Sequence, residues 1–415
     1  MMAGTVLAIY LAFFAAEFLF ESGLTCLNVN HIKKNREKVP EQLSGYFSRE
    51  YLVRSADYTL AHARFSLVSA PFHAAFVLLI VTTGFMGIVN GWIAGWGLPV
   101  IIHGVIYVFF FGLLFSVFSI PFSLYSQFVI EEKFGFNRMT VGLFFIDELK
   151  SLVLSAVIGF PLLLGLFGLI KAAPSIWWVW GFVLVTAFQL LMTVLYPVVI
   201  APLFNKFTPL EEGSLKEKLE SLAQRLSFRT KGIYIMDGSR RSAHSNAYFT
   251  GFGKAKRIVL FDTLVEKLSE NQITAVLAHE LGHEKLKHVL KRFIISTLVT
   301  FASFFLLSLL LQFEPLFHAF GFTDPCPHCL FIIVAFCSGP FTFFFKPLLT
   351  SWSRKHEYEA DRFAVNATGE YQSLAEALVT LGKENLSNLT PHPLYSFYHY
   401  SHPSLGERVG ALKAD

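Results

Sequence analysis

The chain has 415 residues, 53% of them hydrophobic and only 15% charged, with a mean hydropathy of +0.51. A soluble globular protein carries about 25% charged residues, so an ordinary water-soluble fold is excluded and the bilayer is part of the solvent. The formal net charge is +4; a basic loop open to a nucleic-acid reading is explained more cheaply by membrane topology, so no nucleic acid is expected as partner and membrane lipids are the expected surroundings.

The apolar residues lie in blocks, six or seven of which reach the ~20 residues needed to cross a hydrocarbon core. They fall at about residues 6–20, 65–89, 98–120, 152–170, 176–200, 293–313 and 330–349. The first carries Glu17, has no Lys or Arg before it and no small-x-small cleavage site after it. It reads as a retained anchor and not as a removed signal peptide. Lys33, Lys34, Arg36, Lys38, Arg49, Arg54 and Arg64 lie between the first two blocks, and Lys133, Arg138 and Lys150 between the third and fourth. Residues 90–97 and 314–329 hold no Lys or Arg, and the connection between the fourth and fifth blocks has only Lys171. Alternating basic and non-basic loops set orientation by the positive-inside rule. With seven spans, the amino terminus lies outside, and the large polar region and the carboxyl tail lie in the cytoplasm. Glu17, His73, His103 and Lys346 sit in or beside apolar segments. Such residues face an interior or a water-filled cavity, although Lys346 is also placed to snorkel to the interface.

The one long polar region, residues 201–292, alternates in the manner of a small α+β domain. Residues 211–226 place Leu215, Leu219, Leu222 and Leu226 at helical spacing. Residues 232–236, 246–249 and 257–261 read as strands, the last two separated by Gly251 and Gly253. A helix then runs from Glu270 into the pentapeptide His279-Glu280-Leu281-Gly282-His283. On a helix, His279 and His283 are one turn apart on one face and can share a Zn²⁺, with Glu280 directed at the same cleft as general base. This is the spacing of a zinc metalloprotease.

Two histidines leave the ion short of a protein ligand. After two further spans the chain returns to the same membrane face and reads Glu357-Tyr358-Glu359-Ala360-Asp361. Glu357 and Asp361 share a helix face, which suits Glu357 as third ligand and Asp361 as the partner of a ligating His. A metzincin would need a His six residues after His283, where this chain has Val289. The charged flank of Glu284, Lys285, Lys287 and Lys291 sets the motif at a membrane surface or in a polar chamber, unlike proteases that bury it within a span. Cys326-Pro327-His328-Cys329, on a predicted non-cytoplasmic loop, reads as a structural disulfide or free thiols ahead of a redox centre, since no βαβ pattern surrounds it. Cys26 and Cys337 are isolated.

At this point the chain resembles the membrane-embedded zinc CAAX prenyl proteases, the type that also trims the yeast mating pheromone and prelamin. The resemblance is carried by Pro121-Phe-Ser-Leu-Tyr-Ser126, Glu131-Glu-Lys-Phe-Gly-Phe-Asn137 and Ala201-Pro-Leu-Phe-Asn-Lys-Phe-Thr-Pro209. It continues in His244-Ser-Asn-Ala-Tyr-Phe249, the zinc motif, Ser353-Arg-Lys-His-Glu-Tyr-Glu-Ala-Asp361 and His399-Tyr-Ser-His-Pro-Ser-Leu-Gly-Glu-Arg408. These blocks run from about residue 120 onward, whereas residues 1–119 agree in hydropathy and weakly in sequence. The resemblance implies one Zn²⁺ on His279, His283 and Glu357, with Glu280 as base. It further implies that His402 and Arg408 stabilise the oxyanion or position the base, and that Asn246 and Ala247 pair with the substrate backbone. The implied fold is mainly α: a polytopic seven-span protein enclosing a polar chamber, with an inserted small α+β zincin-like catalytic domain.

The expected organisation is five spans in residues 1–200, the catalytic domain in 201–291, two spans in 292–350 and a helical carboxyl region in 351–415. The expected activity is hydrolysis near the C-terminus of prenylated Cys-a-a-X proteins, so the partner is a protein or peptide lipidated at its C-terminus. Two rivals stand beside it: membrane-protein quality control on unprenylated or translocon-jammed chains, and a seven-span transporter or receptor with a structural zinc. A free carboxylate at Glu280 argues for an open site against the latter. The expected location is the endoplasmic reticulum membrane in a eukaryote or the inner membrane in a bacterium, with the active site on the cytoplasmic side. Sequons at Asn366, Asn385 and Asn388 would then carry no glycan.

Overall fold

In a computed structural model of the chain, residues 1–228, 230–250 and 256–414 are described; Gly251 and Gly253 lie outside them. Among the described residues, seven helices are long and apolar enough to cross a membrane, and a helix can do so because it satisfies its backbone hydrogen bonds internally. The first five are built on α1 (Met2–Asn35), α2 (Arg49–Thr82), α3 (Val100–Tyr125), α4 (Val141–Ala172) and α5 (Trp177–Leu195). Ser48 and Thr140 cap α2 and α4, accepting from the backbone N–H of Tyr51 and Leu143. The second span ends at Thr82, short of the predicted residue 89, because Gly84 turns the backbone to φ +72° and starts a separate helix, Phe85–Ala94. Pro121 and Pro197 leave helical carbonyls without a donor, and each lies in or just before a short π-helical stretch, Ser126–Glu131 and Tyr196–Ile200.

The chain then leaves the apolar helices. β1 (Phe207–Pro209), α6 (Ser214–Arg225), β2 (Ile233–Met236), β3 (Ala247–Thr250) and β4 (Arg257–Phe261) form a small α+β unit. The strand order is β1-β2-β4-β3, with β2 and β4 parallel and the outer pairs antiparallel. α7 (Glu270–Lys285) begins with a capping box between Ser269 and Gln272. Leu219, Leu222, Ile258, Leu260, Leu277 and Leu281 are buried between the sheet and these helices, at roughly 1.5–3 kcal/mol for each large apolar side chain.

Two more spans follow, α8 (His288–Leu310) and α9 (Pro327–Thr342). The last does not stop at residue 349 as hydropathy predicts. A short 3₁₀ turn, Phe343–Phe345, passes it directly into α10 (Lys346–Thr368), which carries Glu357 and Asp361. Two helices complete the core beside the sheet, α11 (Gln372–Glu384) and α12 (Leu405–Ala414). Leu374, Leu378 and Leu412 join the same apolar core as α7.

Polar clamps join membrane helices to this unit. Asp147 on α4 takes two hydrogen bonds from Arg241 at 2.8 and 3.2 Å, and Arg241 also donates to Asn205. Glu131 accepts from Tyr58 on α2 at 2.8 Å and lies 2.9 Å from His62 and 3.3 Å from His244. The Lys346 ammonium lies 2.9 Å from His399 Nδ1, and His399 Nε2 is 3.4 Å from Glu21 of α1. His103 packs on His328, which bonds Asn90. Cys326 and Cys329 form a disulfide at the start of α9, while Cys26 and Cys337 are free.

Candidate active site

The pentapeptide lies on the last turns of α7, whose other faces are fixed in the core by Ile273, Leu277 and Leu281. α10 packs across it at a point where both helices are narrow. A Cβ on Gly282 would meet the Cα and carbonyl oxygen of Ala360 at 3.2 Å and Phe363 at 3.1 Å. Glycine there, opposite alanine, lets the two backbones approach until His279, His283 and Glu357 face one another.

Their donor atoms converge. His279 Nε2 is 3.3 Å from His283 Nε2, His283 Nε2 is 3.3 Å from Glu357 Oε1, and His279 Nε2 is 3.5 Å from Glu357 Oε2. A tetrahedral ion with bonds of about 2.0–2.1 Å has ligand edges of about 3.3–3.4 Å, so the two imidazole nitrogens and the carboxylate, which offers one oxygen to each of them, stand at the separations such a site needs. Glu357 is 2% exposed, and its Oε2 has no hydrogen-bond donor. A buried carboxylate oxygen without a donor is costly unless a cation completes it. The residues therefore fit a metal ion.

The surroundings strengthen that fit. His279 Nδ1 lies 2.7 Å from Asp361 Oδ1, and Arg408 Nε donates to Asp361 Oδ2 at 2.8 Å. Burial pulls the His279 imidazole down, but the Asp361 and Glu357 carboxylates outweigh it and hold a second proton on the ring up to about 9. The position thus attracts positive charge. Burial raises the Glu280 carboxyl above its ordinary value, against the pull of His279 and His283. His402 Nε2 is 3.6 Å from Glu357 Oε1, with its side chain 60% exposed. Arg408 is almost fully covered and sends Nη1 to within 3.8 Å of Glu357 Oε2.

A cavity of about 270 Å³ opens over these groups, bounded by His279, Glu280, Glu357, His402, Arg408 and Asn246. Ala247 lies on its wall as the first residue of β3, an edge strand of the sheet that pairs with β4. All nine residues singled out in the sequence thus meet at one place.

The whole chain has clear relatives. A model described as the CAAX prenyl protease N-terminal, five membrane helices, matches residues 28–206, and the model of peptidase family M48 matches residues 209–415. The chain belongs to peptidase family M48. It is therefore a metalloendopeptidase, and its apolar helices make it an integral multi-pass membrane protein. It is 40% identical to CAAX prenyl protease 1 of Saccharomyces cerevisiae, over 96% of this chain and 93% of that protein. It is 36% identical to the human CAAX prenyl protease 1 homolog, over 92% and 90% of the two chains. The crystal structure of S. mikatae Ste24p superimposes with a TM-score of 0.92 at 37% identity, covering 98% of this chain and 99% of that one.

Sequence reasoning missed several M48 residues that the fold brings to the site's edge. Asn385 Oδ1 lies 3.0 Å from His244 Nδ1 and accepts from the backbone N–H of Ser245. With Glu131 on the other ring nitrogen, this holds the segment that leads through Asn246 into β3. His288, His356 and Glu359 lie behind His283. Glu131, His244, His356 and Glu359 fell inside the blocks that carried the resemblance, but nothing in their spacing announced a partner.

Proposed function

We propose that the chain is a zinc-dependent integral-membrane endopeptidase that hydrolyses peptide bonds near the C-terminus of prenylated CAAX proteins. The observation that carries this is the convergence of two imidazoles and one buried carboxylate beside a second carboxylate, Glu280, in one cavity. Full-length similarity to CAAX prenyl protease 1 proteins supports the substrate class.

His279, His283 and Glu357 would hold the ion. A bound zinc supplies Lewis acidity and brings the pKa of a bound water near neutrality. Glu280, whose carboxyl faces the same cavity, takes a proton on its oxygen and delivers it to the leaving amine. Arg408 donates from Nε and Nη2 to Asp361 and so positions it, while Nη1, 3.8 Å from Glu357 Oε2, is left to face charge developing in the cavity. His402, which lines the same cavity, is a second side chain placed to donate to charge developing on the carbonyl oxygen, a role worth about 3–4 kcal/mol. Asn246 and Ala247 present the edge of β3 to an extended substrate, which would add as a further strand. Asp361 holds His279 by its Nδ1–H, leaving Nε2 for the ion.

The test is hydrolysis of a farnesylated Cys-a-a-X peptide by the purified chain, beside its unprenylated twin and the Glu280→Gln variant. Cleavage that requires both the farnesyl group and Glu280 is expected. Equal cleavage of both peptides would move the function to membrane proteostasis. We place the active site on the cytoplasmic face of an endoplasmic reticulum or bacterial inner membrane, on the strength of the basic loops. Glycan at Asn366, Asn385 or Asn388 would overturn that orientation.

A further inference from the structure

His279 and His283 are both candidate ligands through Nε2, and each must then carry a proton on Nδ1. For His279 the acceptor is Asp361. For His283 it is another imidazole: its Nδ1 lies 3.0 Å from Nδ1 of His288. A neutral His288 that accepts there keeps its own proton on Nε2, and that atom lies 2.9 Å from Glu359 Oε2. One assignment of protons therefore satisfies every atom from Glu359 through His288 to His283. We infer that His288 and Glu359 form a positioning chain that fixes the ring of His283 and its basicity toward the ion, as Asp361 does for His279. The inference rests on the metal site proposed above.

Several features of the fold serve this contact. α7 ends at Lys285, and Lys287 adopts φ +59° and ψ +30°, a left-handed conformation uncommon for a side chain of that kind. That reversal starts α8 with His288 turned back against His283. His288 is 1% exposed, so its ring is shielded from bulk water. Glu359 comes from α10, the helix of Glu357 and Asp361. The carboxylate ligand and both terminal carboxylates of the two ring chains therefore stand on one rod.

A second metal site is the competing explanation, since ligand atoms of His288, His356 and Glu359 lie within 4.8 Å of one another. The rings of His288 and His356 are stacked, however, with centroids 3.9 Å apart and planes 8° from parallel. Imidazole lone pairs lie in the ring plane, so those of two stacked rings run side by side and cannot meet on one ion. His356 packs on His288 without a hydrogen bond to His283, which makes it an internal control.

The experiment follows metal release from the full-length chain, loaded with one Co²⁺ or Zn²⁺ and mixed with excess chelator. H288A is expected to release the ion about 10- to 100-fold faster than the wild type, the usual effect of losing such a partner. E359A should give a smaller acceleration. H288Q, whose side-chain carbonyl can accept from His283 Nδ1, should recover most of the loss, and H356F should release at the wild-type rate. The visible bands of the Co²⁺ form should shift in H288A and not in H356F. Wild-type release by H288A and E359A, or equal acceleration in H356F and H288A, would overturn the chain and leave the metal centre standing. A wild-type chain that binds no ion would remove the metal centre itself, and is seen before any variant is compared. If H288A loses its thermal transition, E359A and H288Q carry the comparison.

Discussion

Asp361 stands between two buried partners, accepting from Arg408 on one side and facing His279 Nδ1 on the other. Removing it leaves a buried guanidinium and a ring N–H without acceptors, whereas removing Glu280 leaves the three converging atoms untouched. The two variants should therefore separate. Glu280→Gln is expected to lose roughly 10²- to 10⁴-fold in turnover with one metal ion per chain retained, measured by peptide hydrolysis and elemental analysis. Asp361→Ala is expected to lose about 10- to 100-fold in metal affinity and to melt earlier, measured by chelator competition and thermal denaturation. At this scale the sequence was informative where chemistry follows spacing: His279, His283, Glu357 and Asp361 are all one helical turn from a partner. Arg408 as the companion of Asp361 was not legible, because 47 residues separate them and only the packing of α12 beside α10 brings them together. His288 was missed because a left-handed residue at Lys287 breaks the helical register on which the motif is read.

Between α7 and α10, the close approach at Gly282 fixes the distance from the two histidines to Glu357. Gly282→Val would force a side chain against the backbone of Ala360, which has no room to give. The overpacking costs about 1–3 kcal/mol, larger than the few tenths gained in helix propensity. The expected result is a lower melting temperature together with weaker metal retention, since the helices must part along the line that carries the ligands. Both are read on the purified chain by thermal denaturation and metal content. Hydropathy located all seven apolar helices and periodicity located α6, α7 and three strands. It could not see that Gly84 ends the second span early or that α10 runs on from the seventh. β1 escaped because three residues ending in Pro209 form a strand only by pairing with β2.

For the molecule as a whole, the ion would tie α7 to α10, two helices that also share a large apolar core. Chelation by a strong zinc ligand should therefore abolish peptide hydrolysis while leaving far-ultraviolet circular dichroism essentially unchanged, and added zinc should restore activity. Loss of helical signal on chelation would instead mean that the ion holds the fold. The seven-span architecture was legible because lipid imposes one length and one polarity on every crossing. The assembly of the catalytic unit was not, because it draws on segments from both ends of the chain: Glu131 meets His244, and Tyr51 of α2 donates to the carbonyl of Gly382.

Two membrane crossings separate His283 from Glu357, and Arg408 follows later still. During synthesis, the histidine pair is therefore made long before its carboxylate, and a nascent chain that has not inserted α9 holds an incomplete set of donors. With the ligand set proposed above, the protease would be inert through its own biogenesis. Its hydrolytic centre would come into being only once the last crossing is in place and Arg408 has packed against Asp361.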